Sequence, residues 1–380
     1  MRKRWMQWVA ILCVGIAVAH AGAAAKRPRY EVVGYVLGPR SGVLDPSAIA
    51  GGKMTRINYA FFGLKDGVIV ERRETDGANL AALTGLRKEN PSLQILVSVG
   101  GGGNGSAGFS DIAITAEGRK RFVDSAVAMV EKYSLDGIDV DWEYPGYTHA
   151  TNTTVRPEDK ETYTLLLKEL RLHFNREQKR LGRPLVTSSA TGATQIWLDH
   201  TDMRSASRWL SSVNMMCYDW YNAVEKKTGH DSPLHTSAAD PKQISIDNAV
   251  KMNLAAGVPR RKLIVGVPFY GRKWTGVEAT KNGLWQTIYA PGGADIIYRD
   301  VAPLINRQGY VRYWDATAEA PYLYNAETKT FITYNDAEAE ASRAVYVRKM
   351  GLGGIMFWQY GGDSGNVLLD AIVAGLTKER

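Results

Sequence analysis

Asp136-Gly137-Ile138-Asp139-Val140-Asp141-Trp142-Glu143-Tyr144-Pro145 is the stretch of this 380-residue chain on which the fold turns. Side chains alternate faces along a strand, so Asp139, Asp141 and Glu143 point one way and Ile138, Val140 and Trp142 the other. The apolar face wants helices behind it, which does not suit a solvated acidic edge strand. In a closed parallel barrel the inward face meets solvent only at the C-terminal mouth, where such barrels keep their active sites. An EF-hand calcium loop would need Gly and polar spacers where Tyr144-Pro145 stands. Three carboxylates in close file repel and resist desolvation, so at neutral pH one keeps a proton. Glu143, the outermost, is placed to deliver that proton to a leaving oxygen, the first step in opening a glycosidic bond.

Outward from this run, seven more short apolar stretches bounded by Gly or Pro read as strands. They cover 31–37, 56–62, 94–99, 185–190, 213–218, 263–267 and 354–358, with the acidic run itself at 137–143. Amphipathic helical stripes lie between them. Phe122, Ala126, Met129, Val130 and Tyr133 share one face, and Tyr163, Leu166, Leu167, Leu170 and Phe174 another. Ile246, Ala249, Val250 and Leu254 form a third, ended by Gly257 and Pro259. Eight strands alternating with helices predict an α/β fold, a (β/α)8 TIM barrel, which takes roughly 250 residues. A doubly wound open sheet is the competitor that periodicity leaves open. The stretch 270–333, crowded with Trp and Tyr, is too long for a structureless loop and predicts a small α+β insertion between strands 7 and 8. Its rings are expected to form their own small core. The catalytic barrel domain is placed at 28–380, with the insertion subdomain at 272–333.

Residues 1–21 have the form of a signal peptide: basic Arg2, Lys3 and Arg4, an apolar stretch too short to span a bilayer, then Ala19-His20-Ala21. Cleavage between 21 and 25 would leave a secreted chain, extracellular or periplasmic, without stable membrane association. Three basic and no acidic residues leave with the signal, so the net charge falls from +8 to +5. That charge is spread thinly, without the aromatic-basic interleaving that nucleic-acid binding needs. Of the two Cys, Cys13 departs and Cys217 stands alone, so no disulfide framework forms. His residues are scattered and no His-x-x-Glu-His occurs, so no metal and no cofactor is expected. Gly100 to Gly105 formally fits G-x-G-x-x-G, but the next helical pattern begins only near Thr115. A flexible loop beside a cleft is the better reading than a pyrophosphate site.

The run 136–145 resembles, without departure, the signature of glycoside hydrolase family 18, the chitinase family. Ser98-Val99-Gly100-Gly101 is similar to its third-strand motif, Ala60-Phe61 to its second and Met216-Cys217-Tyr218-Asp219 to its sixth. Pro268 to Arg272 and Gly353 to Trp358 resemble its seventh and eighth. The resemblance covers the whole mature chain, and the insertion is similar to that of the deep-groove type. It implies a retaining hydrolase of β-1,4-N-acetylglucosamine linkages in which the sugar's 2-acetamido oxygen is the nucleophile and an oxazolinium ion the intermediate. By motif position Glu143 would be acid and then base, and Asp141 would hold the acetamido N–H. Asp139 would share a proton with Asp141, and Tyr218 would bond the acetamido oxygen with Asp219 nearby. Trp358 would be the floor under a distorted sugar, with Tyr35 and Phe61 closing the acetamido pocket and Met216 beneath. Tyr270 and Arg272 would line the groove.

Two departures bear on the leaving-group side. Gly102-Gly103-Asn104 stands where the family commonly has Trp, and Trp220-Tyr221-Asn222 replaces a Gly followed by a Trp platform. Trp220 either substitutes for that platform or fills space under its loop. The expected partner is chitin or chito-oligosaccharide, bound by a monomer. The alternatives are the same chemistry on peptidoglycan or an N-glycan, or a non-catalytic chitin-binding lectin; such lectins typically lose the acid, which Glu143 retains. Endo and exo action are both open.

Overall fold

Eight parallel strands hydrogen-bond around a full circle. In the computed structural model, which describes residues 29–148, 153–289 and 292–378, the barrel strands run in chain order. They are β1 (Glu31–Leu37), β2 (Arg56–Lys65), β4 (Gln94–Gly100), β5 (Gly137–Asp141), β6 (Val186–Gly192), β7 (Ser212–Met216), β8 (Leu263–Pro268) and β14 (Gly354–Trp358). The last pairs with the first, Val32 opposite Ile355, and β1 pairs with β2, so the sheet has no free edge. An open doubly wound sheet is thereby excluded. A short β3 (Val68–Val70) only folds back on the end of β2. The proposed signal segment, 1–21, lies outside the described residues.

Helices cover the barrel where the 3.6-residue period placed them. Helix Asp159–Leu181 buries Tyr163, Leu166, Leu167, Leu170 and Phe174, the expected stripe. Helix Ala116–Lys132 starts at Thr115, whose side chain accepts from the Gly118 N–H and satisfies one of the orphan donors at a helix start. It buries Phe122, Val123, Ala126 and Val130, while Met129 and Tyr133 stay partly exposed at its border. The outward face of β5 meets this layer. Trp142 is 1% exposed and stacks on Phe109 with centroids 5.4 Å apart and planes 12° from parallel.

Two strands end earlier than the sequence predicts. β5 stops at Asp141 rather than Glu143, and β7 at Met216 rather than Tyr218. The cause at β5 is its neighbour. β4 ends at Gly100, opposite Asp141, so the ladder on that side stops there, and pairing with β6 on the other side stops at Val140 opposite Ser189. Gly100 has φ +114, and a Cβ there would lie 2.0 Å from the Asp141 carbonyl oxygen, so only glycine lets the two strands approach so closely. The mouth residues Glu143 and Tyr218 therefore project from loops just past the strand ends.

The insertion is a five-stranded antiparallel sheet. It comprises β9 (Tyr270–Trp274), β10 (Ala294–Ile297), β11 (Tyr310–Asp315), β12 (Ala320–Asn325) and β13 (Thr330–Thr333), ordered β10-β9-β13-β12-β11. Trp274, Tyr298, Tyr322, Tyr324 and Phe331 are buried, and Trp285, Tyr310 and Tyr313 pack partly buried against them and the rest of the core. Tyr289 is the contrast, at 77% exposure. Because β9 begins two residues after β8 ends, the sheet starts at the barrel's C-terminal rim, and its first residue, Tyr270, lines the mouth.

Candidate active site

At that mouth lies a cleft of about 480 Å³. Ten of the twelve residues singled out from the sequence line it: Tyr35, Phe61, Asp141, Glu143, Met216, Tyr218, Asp219, Trp220, Tyr270 and Trp358. Asp139 lies one pleat deeper, fully buried, and Arg272 stands behind Asp219. A larger hollow of about 800 Å³ at the barrel's foot has no carboxylate among its described lining residues, so the acid chemistry belongs to the mouth.

Asp139 is held by four side chains from four different strands. Tyr35 and Ser98 donate their hydroxyls to Oδ2, each at 2.8 Å. Ser188 donates to Oδ1 at 2.6 Å, and Asn214 Nδ2 reaches Oδ1 at 3.3 Å. Burial pushes the Asp139 carboxyl up, and these donors pull it part of the way back. Asp141 has no such cradle. Its Oδ1 is buried without a hydrogen-bond partner in the protein. Burial first, then the charges of Glu143 and Asp139, raise its pKa well above the carboxylate range. Glu143 is pushed up to about 7, mainly by burial, while hydrogen bonds from Tyr144 and Asp141 oppose the rise. The two carboxyls titrate as a unit, and near neutral pH the pair retains at least one proton.

Glu143 is fixed through its backbone, whose N–H donates to Ser106 Oγ at 2.7 Å. Opposite it sits Gly102, where a Cβ would come 3.5 Å from a Glu143 carboxylate oxygen. The glycine loop of the formal G-x-G-x-x-G thus borders the acid; a one-turn 3-10 helix, Gly103–Ser106, forms on it and a short α-helix, Phe109–Ala113, follows, earlier than the Thr115 start the sequence predicts. Arg72 ties that loop down, donating to the Gly100 and Gly105 carbonyls at 2.8 and 3.1 Å while its guanidinium sits over the Phe61 ring.

One wall of the cleft is aromatic. Phe61 stacks on Trp358, and Tyr35 tilts against the same indole at 5.7 Å. Tyr218 meets Tyr270 edge-on, and burial together with the charge of Asp141 keeps the Tyr218 hydroxyl protonated. Tyr270 and Arg272 both donate to Asp219 Oδ1, at 2.7 and 2.5 Å. Across the acids from Trp358, Tyr144 and Tyr147 stack with centroids 4.7 Å apart. Trp220 touches the cleft but is 5% exposed and belongs to the core beneath its loop.

Sequence reasoning missed several of these neighbours. Ser98 and Ser188 were findable as hydroxyls at inward positions of strands otherwise lined with apolar residues. Arg72 and Tyr147 come from loops with no periodic pattern, and only the folded chain brings them to the mouth.

A closed (β/α)8 barrel with two acids on the fourth barrel strand and a third just past its end, at an aromatic-walled mouth, defines a class of glycosidase. The family model described as Glycosyl hydrolases family 18 matches residues 31–363, and the chain belongs to that family. It is 38% identical over 314 residues to chitinase A1 of Niallia circulans, covering 78% of this chain and 44% of that relative. It is 30% identical over 320 residues to chitotriosidase-1 of Mus musculus, covering 80% and 66%. Among solved structures it is similar to a family 18 N-acetylglucosaminidase from Paenibacillus barengoltzii, with a TM-score of 0.84 and 39% identity over 91% of this chain and 100% of that one. The chain spans less than half the length of the first of these relatives.

Proposed function

We propose that the chain is an exported, retaining hydrolase of β-1,4-linked N-acetylglucosamine in chitin or chito-oligosaccharides, with the substrate's own 2-acetamido group as nucleophile. The observation that carries this reading is Asp141 Oδ1, a buried oxygen with no partner in the protein, on a residue that lines the same cleft as Glu143 and Trp358. Leaving a buried acceptor unpaired costs about 1–3 kcal/mol, which a substrate N–H placed there would recover. An acetamido N–H on the sugar over Trp358 is such a donor.

In the first step Glu143 gives its proton to the glycosidic oxygen as the C1–O bond breaks. The acetamido carbonyl oxygen closes on C1 and forms the oxazolinium ion. Asp141 accepts the amide N–H and stabilises the positive charge, and the hydrogen-bonded Asp139 beneath it sets how much negative charge Asp141 carries. The Tyr218 hydroxyl donates to the acetamido oxygen and orients it. In the second step the Glu143 carboxylate takes a proton from water, whose oxygen attacks C1 from the face the leaving group vacated. The ring opens, the β configuration is retained and Glu143 regains its proton. Aromatic stacking from Trp358 and Phe61 holds the sugar throughout. The relatives named as chitinase, chitotriosidase and N-acetylglucosaminidase support this substrate class.

Product analysis on chitohexaose, colloidal chitin and peptidoglycan side by side tests the reading. Chito-oligomers should be cut with the β-anomer formed first. Release from peptidoglycan with chitohexaose untouched would move the substrate, and an initial α-anomer would remove the retaining mechanism.

A further inference from the structure

Asp231 is a buried carboxyl beside the cleft that the chemistry above leaves without a task. It is 1% exposed and sits in the loop between β7 and β8. Its Oδ1 accepts the Asp219 backbone N–H at 3.1 Å, and its Oδ2 has no partner in the protein. Asp219 has φ +62, the left-handed region that side-chain-bearing residues seldom occupy without support from their surroundings. That turn points the Asp219 carboxylate at Tyr270 and Arg272.

Asp231 is itself pinned from the insertion. Its N–H donates to Thr333 Oγ1 at 2.9 Å, and its carbonyl accepts the Trp220 N–H at 3.3 Å. Thr333 lies opposite Arg272 in the β13–β9 ladder. The next residue, Ser232, donates to the Cys217 carbonyl at 2.6 Å and accepts from the buried Arg343. Asp219, Asp231 and Arg272 are thus tied into a closed triangle, two corners of which are set by the sheet.

We propose that Asp231 is a positioning residue: its Oδ1 clamps the Asp219 turn and so holds the Asp219 carboxylate on Tyr270 and Arg272 at the cleft wall. The inference rests on the glycosidase reading above and adds a residue to it. Burial, and then the charge of Asp219, hold the Asp231 carboxyl well above the usual range against the pull of Arg272. Asparagine offers the same acceptor with the same shape.

The test is a double-mutant cycle of Asp219→Ala with Asp231→Ala, alongside Asp231→Asn, read as kcat on chitohexaose with thermal melts of every chain. Asp231→Ala should lower kcat about tenfold, the order expected for one lost buried hydrogen bond. Asp231→Asn should stay within about twofold of the parent, since it keeps the acceptor. In the Asp219→Ala background the alanine change should cost nothing further, because its effect passes through Asp219. Additive losses would overturn the proposal, and so would an asparagine variant as slow as the alanine one. If the alanine chain does not fold, the asparagine variant decides alone: it keeps its kcat or the clamp is wrong. Inactivity of the parent on chitohexaose would instead count against the glycosidase reading.

Discussion

Phe61 and Trp358 stack with ring centroids 5.3 Å apart and planes 23° from parallel, although 297 positions separate them in the chain. The pairing brings the middle of β2 against the end of β14, next to the seam where the barrel closes through β1. It turns a flat aromatic surface toward Asp141 and Glu143. Replacing Trp358 with Ala should lower kcat/KM on chitohexaose about fivefold or more, because stacking of this kind contributes on the order of 1 kcal/mol or more. Steady-state rates at fixed pH report it, and an unchanged value would take Trp358 out of the sugar site.

Glu143→Gln removes the proton donor and little shape. Its kcat should fall by roughly 10²-fold or more, in line with the contribution of a positioned general acid. Oligosaccharide affinity measured by calorimetry should stay close to that of the parent. A variant that turns over at a normal rate would put the acid elsewhere.

The pH profile follows from the same residue. Glu143 must be protonated in the first step, and its carboxyl is raised to about 7. The rate on chito-oligomers should therefore fall above about pH 7, where the proton is lost. Stability moves in the same sense. A carboxyl raised from 4.5 to about 7 binds its proton more tightly in the folded state, so its contribution is present at low pH and is lost as pH rises through that window. Melting curves should show Glu143→Gln gaining stability over the parent at pH 8 and little difference at pH 4.

Trp142 tests the outward face of the same strand. Fully buried against Phe109 and Tyr163, it should cost about 3–5 kcal/mol on replacement by Ala, measured by denaturant unfolding. A loss under 1 kcal/mol would mean that the helical layer does not depend on it.

What the sequence made legible was periodic. Strands with apolar alternation and helices with a buried stripe were readable because burial imposes a period of 2 or 3.6 on their residues. The order of side chains within β5 even separated the acid face from the Trp142 face. The bounds of β1 and β14 were readable, but the ends of β5 and β7 were not: β5 stops where its neighbour β4 ends at Gly100, a fact about a different segment. The insertion's strand order, β10 beside β9 beside β13, is likewise set by non-local pairing. The site divides in the same way. Asp139, Asp141 and Glu143 announce themselves by their spacing, whereas Asp231 acquires its place only through Thr333, 102 residues away.

The central claim is that an amide oxygen of the sugar attacks C1, and partially deacetylated chitosan tests it most directly. There the unit at each bond carries either an acetamide or a free amine. Sequencing the ends of the products after brief digestion should find N-acetylglucosamine at every new reducing end, since only that unit can supply the oxygen. New reducing ends occupied by glucosamine, at a frequency near its share of the polymer, would contradict the mechanism.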